Sequence, residues 1–435
     1  MRPATRIVAI LLIILFIGLS STFILLSRFQ HMTTTPNIPS MVSSTNSKDQ
    51  STTGIADQMI NNQISLLNGF TFEMFKKLFD PSEDKNKVLS PFNVYTALLL
   101  AYEGSNGSTR REIGRVLGID SESDHCQRIR YLLELLKSSS GESDLEVAFS
   151  TWLQKDFPFR DEYINRVTEC YNAEVMSVDF SREWSKTVKL INMWVEEKTR
   201  NFIRELVPED YPEYWMIRSI LISTLFLNAS WPEKFIILEE PAPFWTGTEY
   251  VNVTMMSTEL STKAYLNDEV IVIEIPYSMS NLSFVIIMPE ELGSFIRELD
   301  WNELSTIIER LNNSKPRQMR ITIPKFKIEG DRIELKPVLV SMGIREIFEP
   351  GVSDLTRMAQ VRKGELYVDD VLHKAYIEVN ENGTIAAAAT AIIIKIIAYI
   401  PPELEVRIDR PFIFYILDKS SGLILFTGYV TQPEY

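Results

Sequence analysis

Histidine and cysteine are nearly absent from this chain. Three histidines and two cysteines in 435 residues leave little material for a metal centre, and no CxxC or HExxH spacing gathers what there is. GxSxG, GxGxxG and GxxxxGK[ST] are missing too, which removes the nucleophile elbow and the common phosphate-binding loops. No nucleophile–base constellation marks an enzyme, and no cofactor or metal is expected. Basic clusters are lacking as well. With 44 Lys and Arg against 58 Asp and Glu the net charge is −14, and no dense run of positive charge supplies the footprint that nucleic acid requires. Cys126 and Cys170 are read as free thiols, because separation along a chain carries no information about Cα distance; a bridge between them stays open.

What is present has ordinary globular proportions, 45% hydrophobic and 23% charged. Arg2 and Arg6 precede IVAILLIILFIGLSSTFILL, residues 7–26, an apolar run of about 30 Å as a helix, which is the thickness of a hydrocarbon core. Without a clear small-residue cleavage site, residues 1–28 are read as an uncleaved signal anchor rather than a signal peptide. The remainder is then extracytoplasmic and anchored in the cell membrane, or secreted if the segment is removed. Residues 29–54, rich in Ser, Thr, Asn and Pro, form a flexible tether. From residue 55 to 435 helical periodicity comes first, with Ser90 placed as an N-cap before Pro91 and further helices over 108–117, 122–138, 160–172 and 184–206. Strand-like runs follow, among them RSILISTLFLNASW, LYVDDVLHKAYIEV and a last hairpin turning at Ser420–Ser421–Gly422. Helices first and strands later predict one large α+β domain.

One stretch resists every ordinary reading. Residues 383–402, GTIAAAATAIIIKIIAYIPP, are too long for a single strand. Lys395 near the centre opposes a membrane span, and the β-branched density opposes a buried helix. As an exposed loop it has the composition of an aggregation hazard.

At this point the chain resembles the serpin family from about residue 57 onward. Five blocks carry the resemblance in order: NKVLSPFNVYTALLLAYEGSNGSTRREI, INMWVEEKT, RITIPKFKIEGDRIELKPVLVSMGIREIF, VLHKAYIEVNENGTIAAAATA and VRIDRPFIFYI. The resemblance implies a fold of about nine helices and three β-sheets, with residues 383–402 as an exposed reactive-centre loop. A serine protease would cleave that loop and form an acyl-enzyme. The freed loop would then insert as a strand into the large sheet and trap the enzyme, with release of stored strain. The residues suit both states: Ala386, Ala387, Ala388 and Ala389 are small enough to slip between strands, Gly383 loosens the hinge, and Thr390 and the isoleucines favour a strand. The expected state is a monomer, with loop–sheet polymers as its failure mode.

By the same resemblance, Glu381, Gly383, Thr384 and the four alanines form an inhibitory hinge, from which Ile385 departs. Counting from Gly383 places the scissile bond at Ile397–Ala398, which suits an elastase-, subtilisin- or chymotrypsin-like target. Counting back from Pro401–Pro402 places it at Ile396–Ile397, and Lys395 as bait would suit a trypsin-like enzyme. Ser90, Asn192 and His373 are expected together beneath the sheet where its strands part, with Asn93 beside them, and Trp231 where the loop first enters. The alternative function is a non-inhibitory binding or chaperone module of the same fold. The sequon at Asn382 falls in the hinge, where a glycan would obstruct insertion.

Overall fold

The computed structural model describes residues 49–79, 85–119, 125–385 and 401–435. The chain divides into two units, Met1–Ile55 and Ala56–Tyr435, and every strand among the described residues belongs to the second. Residues 7–26 lie outside the described residues. Among those described, no helix is long and apolar enough to cross a membrane.

Nine α-helices occur among the described residues: α1 (Asp49–Leu78), α2 (Pro91–Gly104), α3 (Gly107–Leu117), α4 (His125–Ser139), α5 (Asp161–Tyr171), α6 (Trp184–Lys198), α7 (Leu292–Glu298), α8 (Trp301–Asn313) and α9 (Lys336–Met342). Strands are numbered along the chain. A first six-stranded sheet runs β1 (Lys87–Leu89), β20 (Leu423–Val430), β19 (Phe412–Asp418), β11 (Leu282–Pro289), β10 (Val270–Pro276), β9 (Ala264–Leu266). A four-stranded sheet runs β18 (Leu404–Arg407), β12 (Arg317–Pro324), β8 (Met255–Thr262), β5 (Ile236–Ile237). The second six-stranded sheet, which carries the site, runs β13 (Phe326–Glu329), β16 (Tyr376–Val379), β17 (Gly383–Thr384), β4 (Ser219–Ser230), β2 (Asp144–Gln154), β3 (Glu174–Val178). Two short ladders pair β14 (Ile333–Glu334) with β15 (Leu372–His373), and β6 (Ala242–Trp245) with β7 (Tyr250–Val253). The fold is α+β.

Period-two patterning explains the layers. On β11, Phe284, Ile286 and Met288 enter the main core, while Val285 and Ile287 enter a second core beneath α7 and α8. Both faces are covered, so the strand reads as an unbroken apolar run. On β4, Leu225, Leu227 and Ala229 face the main core, whereas Ile222 packs with Trp184, Val188 and Ile191 of α6. The large sheet is thus held between the main core and α6.

Three expectations need correction. The helix begun at Trp184 ends at Lys198, not 206, because Arg200 and Asn201 adopt left-handed φ of 51° and 68°. Ser90 does not cap α2 with its side chain: its hydroxyl donates to the Leu425 carbonyl at 3.0 Å and ties the helix start to β20. Cys126 and Cys170 are not free. α4 and α5 bring their Cα atoms to 5.2 Å and the two form a disulfide, at a distance typical of such bridges.

Candidate functional site

β16 ends at Val379, the chain turns through Asn380, Glu381 and Asn382, and β17 returns antiparallel to it. The Asn380 side-chain oxygen accepts from the amides of Asn382 at 2.9 Å and Gly383 at 3.3 Å, the local bonding that favours Asn in turns. Each carbonyl of the turn also has a donor in the segment after β4. Trp231 Nε1 donates to Asn380, Trp231 N–H to Asn382 and Phe235 N–H to Glu381, all at 2.9 Å. The Trp231 ring stacks on Tyr277 with centroids 4.8 Å apart, and the Tyr277 hydroxyl is hydrogen-bonded to that of Thr384.

Glu381 forms an ion pair with Lys325 at 2.9 Å, both side chains being largely buried. Burial opposes ionisation of Glu381, but the Lys325 ammonium outweighs it and holds the carboxyl below its ordinary value.

β17 is a two-residue strand already wedged between β16 and β4, with Gly383 opposite Ser230 and Thr384 opposite Ala229. Glycine is required here for closeness rather than hinge freedom. A Cβ on Gly383 would lie 2.0 Å from the Ala229 carbonyl oxygen, so Gly383→Ala is expected to force β17 off β4. Trp231 fluorescence is the readout, and an unchanged spectrum would mean that the strands shift to accept the methyl. The next residue, Ile385, donates its amide to Glu378 at 2.8 Å with a left-handed φ of 56°, an unusual conformation for a β-branched side chain.

Among the described residues the rest of β4, 219–228, has β2 on one side and no strand on the other. A cavity of about 430 Å³ occupies that side, lined by Val94 and Ala97 of α2, Leu221 and Ser223 of β4, Tyr211 and His373 among others. Closer to the hinge a slot of only about 20 Å³ reaches Ile385. His373, 5% exposed, accepts the Ser90 amide on Nε2 at 3.1 Å, so its proton sits on Nδ1, and burial pushes its pKa down to about 4.

A family model described as Serpin (serine protease inhibitor) matches residues 65–433. The chain is a serpin. An uncharacterised serpin-like protein of Pyrobaculum aerophilum is 37% identical over 368 residues, covering 84% of this chain and 93% of the relative. The leukocyte elastase inhibitor of Sus scrofa is 31% identical over 374 residues, covering 84% of this chain and 97% of its own. Among solved structures, a highly specific serpin of the insect Tenebrio molitor superposes with a TM-score of 0.71 at 30% identity, covering 87% of this chain and 99% of that one. The family consists generally of inhibitors without enzymatic activity.

Within this serpin the expected site residues divide. Ser90 and His373 meet directly, and Asn93 accepts from the Ser223 hydroxyl at 3.4 Å beside them. Asn192 belongs elsewhere: its side chain bonds Leu206 and Val207 at 2.8–3.1 Å and holds the segment after α6. It stands on that helix, so its sequence block alone did not reveal its neighbours. Ala386, Ala387, Ala388, Ala389, Lys395, Ile396, Ile397 and Ala398 lie outside the described residues. Sequence reading assigned no role to Lys325, Phe235 or Tyr277. Lys325 stands inside the Pro324–Lys325–Phe326 phrase of the resemblance, and that was the available signal.

Proposed function

We propose that this serpin is a suicide-substrate inhibitor of serine proteases that traps the acyl-enzyme by inserting its cleaved loop beside β4. The observation that carries the reading is the position of the hinge, already paired between β16 and β4 above a sheet edge without a neighbour. Extending the pairings of Thr384 with Ala229 and Val379 sets Ala386 and Ala388 opposite Leu227 and Leu225, where the slot is narrow. Thr390 then falls between Ser223 and His373, and Ile392 and Ile394 reach the wide cavity. Small side chains thus meet the tight part and large ones the roomy part, and each inserted residue gains strand hydrogen bonds.

The Sus scrofa relative, named an elastase inhibitor, supports an elastase-like target, and Ile397–Ala398 as the reactive bond agrees with that preference. Residues 1–28 serve in this reading as a membrane anchor and 29–54 as a tether outside the cytoplasm. The disulfide supports that placement, since such bonds persist in oxidising compartments, with intracellular proteins of hyperthermophiles as the exception.

The test incubates the full chain with elastase-, subtilisin-, chymotrypsin- and trypsin-type proteases, followed by denaturing gels and mass spectrometry. The expected outcome is an SDS-stable complex and a released peptide beginning at Ala398. Clean cleavage without complex by all four would leave the non-inhibitory module as the function.

A further inference from the structure

Tyr435 touches the hinge from outside the sheet, although it belongs to neither the loop nor the strands around it. Its hydroxyl donates to Glu378 Oε1 at 2.8 Å, and Glu378 is the residue whose carbonyl takes the Ile385 amide. Its ring lies under the Lys325 ammonium at 3.9 Å from the centroid, and Lys325 pairs with Glu381, whose carbonyl takes the Phe235 amide. The two contacts of one side chain therefore reach both ends of the hinge turn. The segment bearing Tyr435 is itself fastened. The Asn86 side-chain oxygen accepts from the amides of Thr431 at 2.8 Å and Gln432 at 3.1 Å, and the Lys327 amide donates to the Glu434 carbonyl at 2.7 Å.

Glu378 is built to receive this contact as a charged group. Burial opposes its ionisation, but Asn380 at 3.0 Å, Tyr376 at 2.8 Å and Tyr435 all donate to it, and its carboxyl stays below the ordinary value. A hydrogen bond to a charged acceptor and a cation over an aromatic face are both stronger than neutral contacts, so an exposed tyrosine can bear on a buried turn.

We propose that Tyr435 is a positioning residue that latches the hinge turn 380–385 in its wedged state. This rests on the reading of that turn as the hinge of a loop that inserts. The latch resists opening of the turn without contributing to the reactive bond or to the slot that the loop would fill.

The test compares amide hydrogen exchange in the full chain, in peptides spanning 376–385, for the wild type, Tyr435→Phe and Tyr435→Leu. Tyr435→Leu loses both contacts and is expected to speed exchange of the Asn380 and Ile385 amides by about fivefold or more, since each contact is of the order of 1 kcal/mol. Tyr435→Phe keeps the ring beneath Lys325 and should fall between. Exchange elsewhere in the large sheet and the unfolding midpoint should stay put. Equal exchange in wild type and Tyr435→Leu, or acceleration spread evenly over the sheet, overturns the latch. Protease trapping by the wild type is scored separately: its absence would remove the inhibitory reading while exchange still decides the role of Tyr435.

Discussion

Replacing Cys126 and Cys170 together by serine is expected to cost the folded protein about 4 kcal/mol. The bridge closes a loop of 44 residues in sequence separation. The chain-entropy model assigns a loop of that size about 4 kcal/mol of destabilisation of the unfolded ensemble. Native packing should survive the exchange. Cys126 and Cys170 are 8% and 2% exposed within the main core, serine is close in size, and each hydroxyl sits near a helix terminus. Around the bridge, Glu103 accepts from His125 at 2.6 Å and Tyr171 at 2.9 Å, which keeps α4 and α5 tied to α2 without it. For a domain of this size the loss lowers the thermal midpoint by about 5 °C. Reduction of the wild type with dithiothreitol should give the same shift as the double variant, and no further shift in that variant. A midpoint unchanged by either treatment would mean that the unfolded chain is already compact around α4 and α5.

The bridge also shows where sequence reading stops. Two cysteines in different helices are paired only by the packing of α4 on α5, and no local pattern encodes that contact. Elements with a strong period are legible: the apolar run of β11, the alternation of β4 and the hairpin turn at Ser420–Ser421–Gly422. In that turn the Asp418 carboxylate accepts the Ser420 and Ser421 amides at 3.2 Å, and Gly422 takes a φ of 78°.

The run 366–379 is legible only in part. Leu372–His373 and Tyr376–Val379 form strands, but Asp370 takes the Lys336 and Val371 amides at 3.0 and 2.6 Å, local bonding that competes with a ladder. Gly383 shows a different limit. Its identity is plain in the sequence, yet its reason, the Ala229 carbonyl of a strand more than a hundred residues earlier, exists only in three dimensions. Lys325 and Glu381 are likewise visible as letters and invisible as a pair.

The second large effect is a loss of stability in mild acid through His373. In the folded protein its Nε2 accepts the Ser90 amide, and burial lowers its pKa to about 4 from an ordinary 6.5. Below pH 6.5 the unfolded chain binds a proton that the folded chain refuses. The contribution of His373 is therefore complete above pH 6.5, falls by about 1.4 kcal/mol per pH unit through the interval, and is lost at about pH 4, a total of about 3 kcal/mol. Carboxylates held below their ordinary values, such as Glu103 and Glu381, lose their contributions at lower pH still, so the upper part of the slope belongs to the histidine. His373→Gln keeps a side chain able to accept the Ser90 amide but cannot titrate. Urea midpoints at pH 5 and pH 7 should differ strongly in the wild type and little in the variant; equal differences in both would place the acid sensitivity elsewhere. Protonation at Nε2 would point an N–H at the Ser90 amide. It would do so beside the large cavity, at the height where the extended register sets Thr390, so acid weakens the link between α2 and the 372–373 strand where loop insertion requires the sheet to part. The same pH change should therefore speed loop–sheet polymerisation of the uncleaved chain, and His373→Gln should make that rate flat between pH 5 and 7.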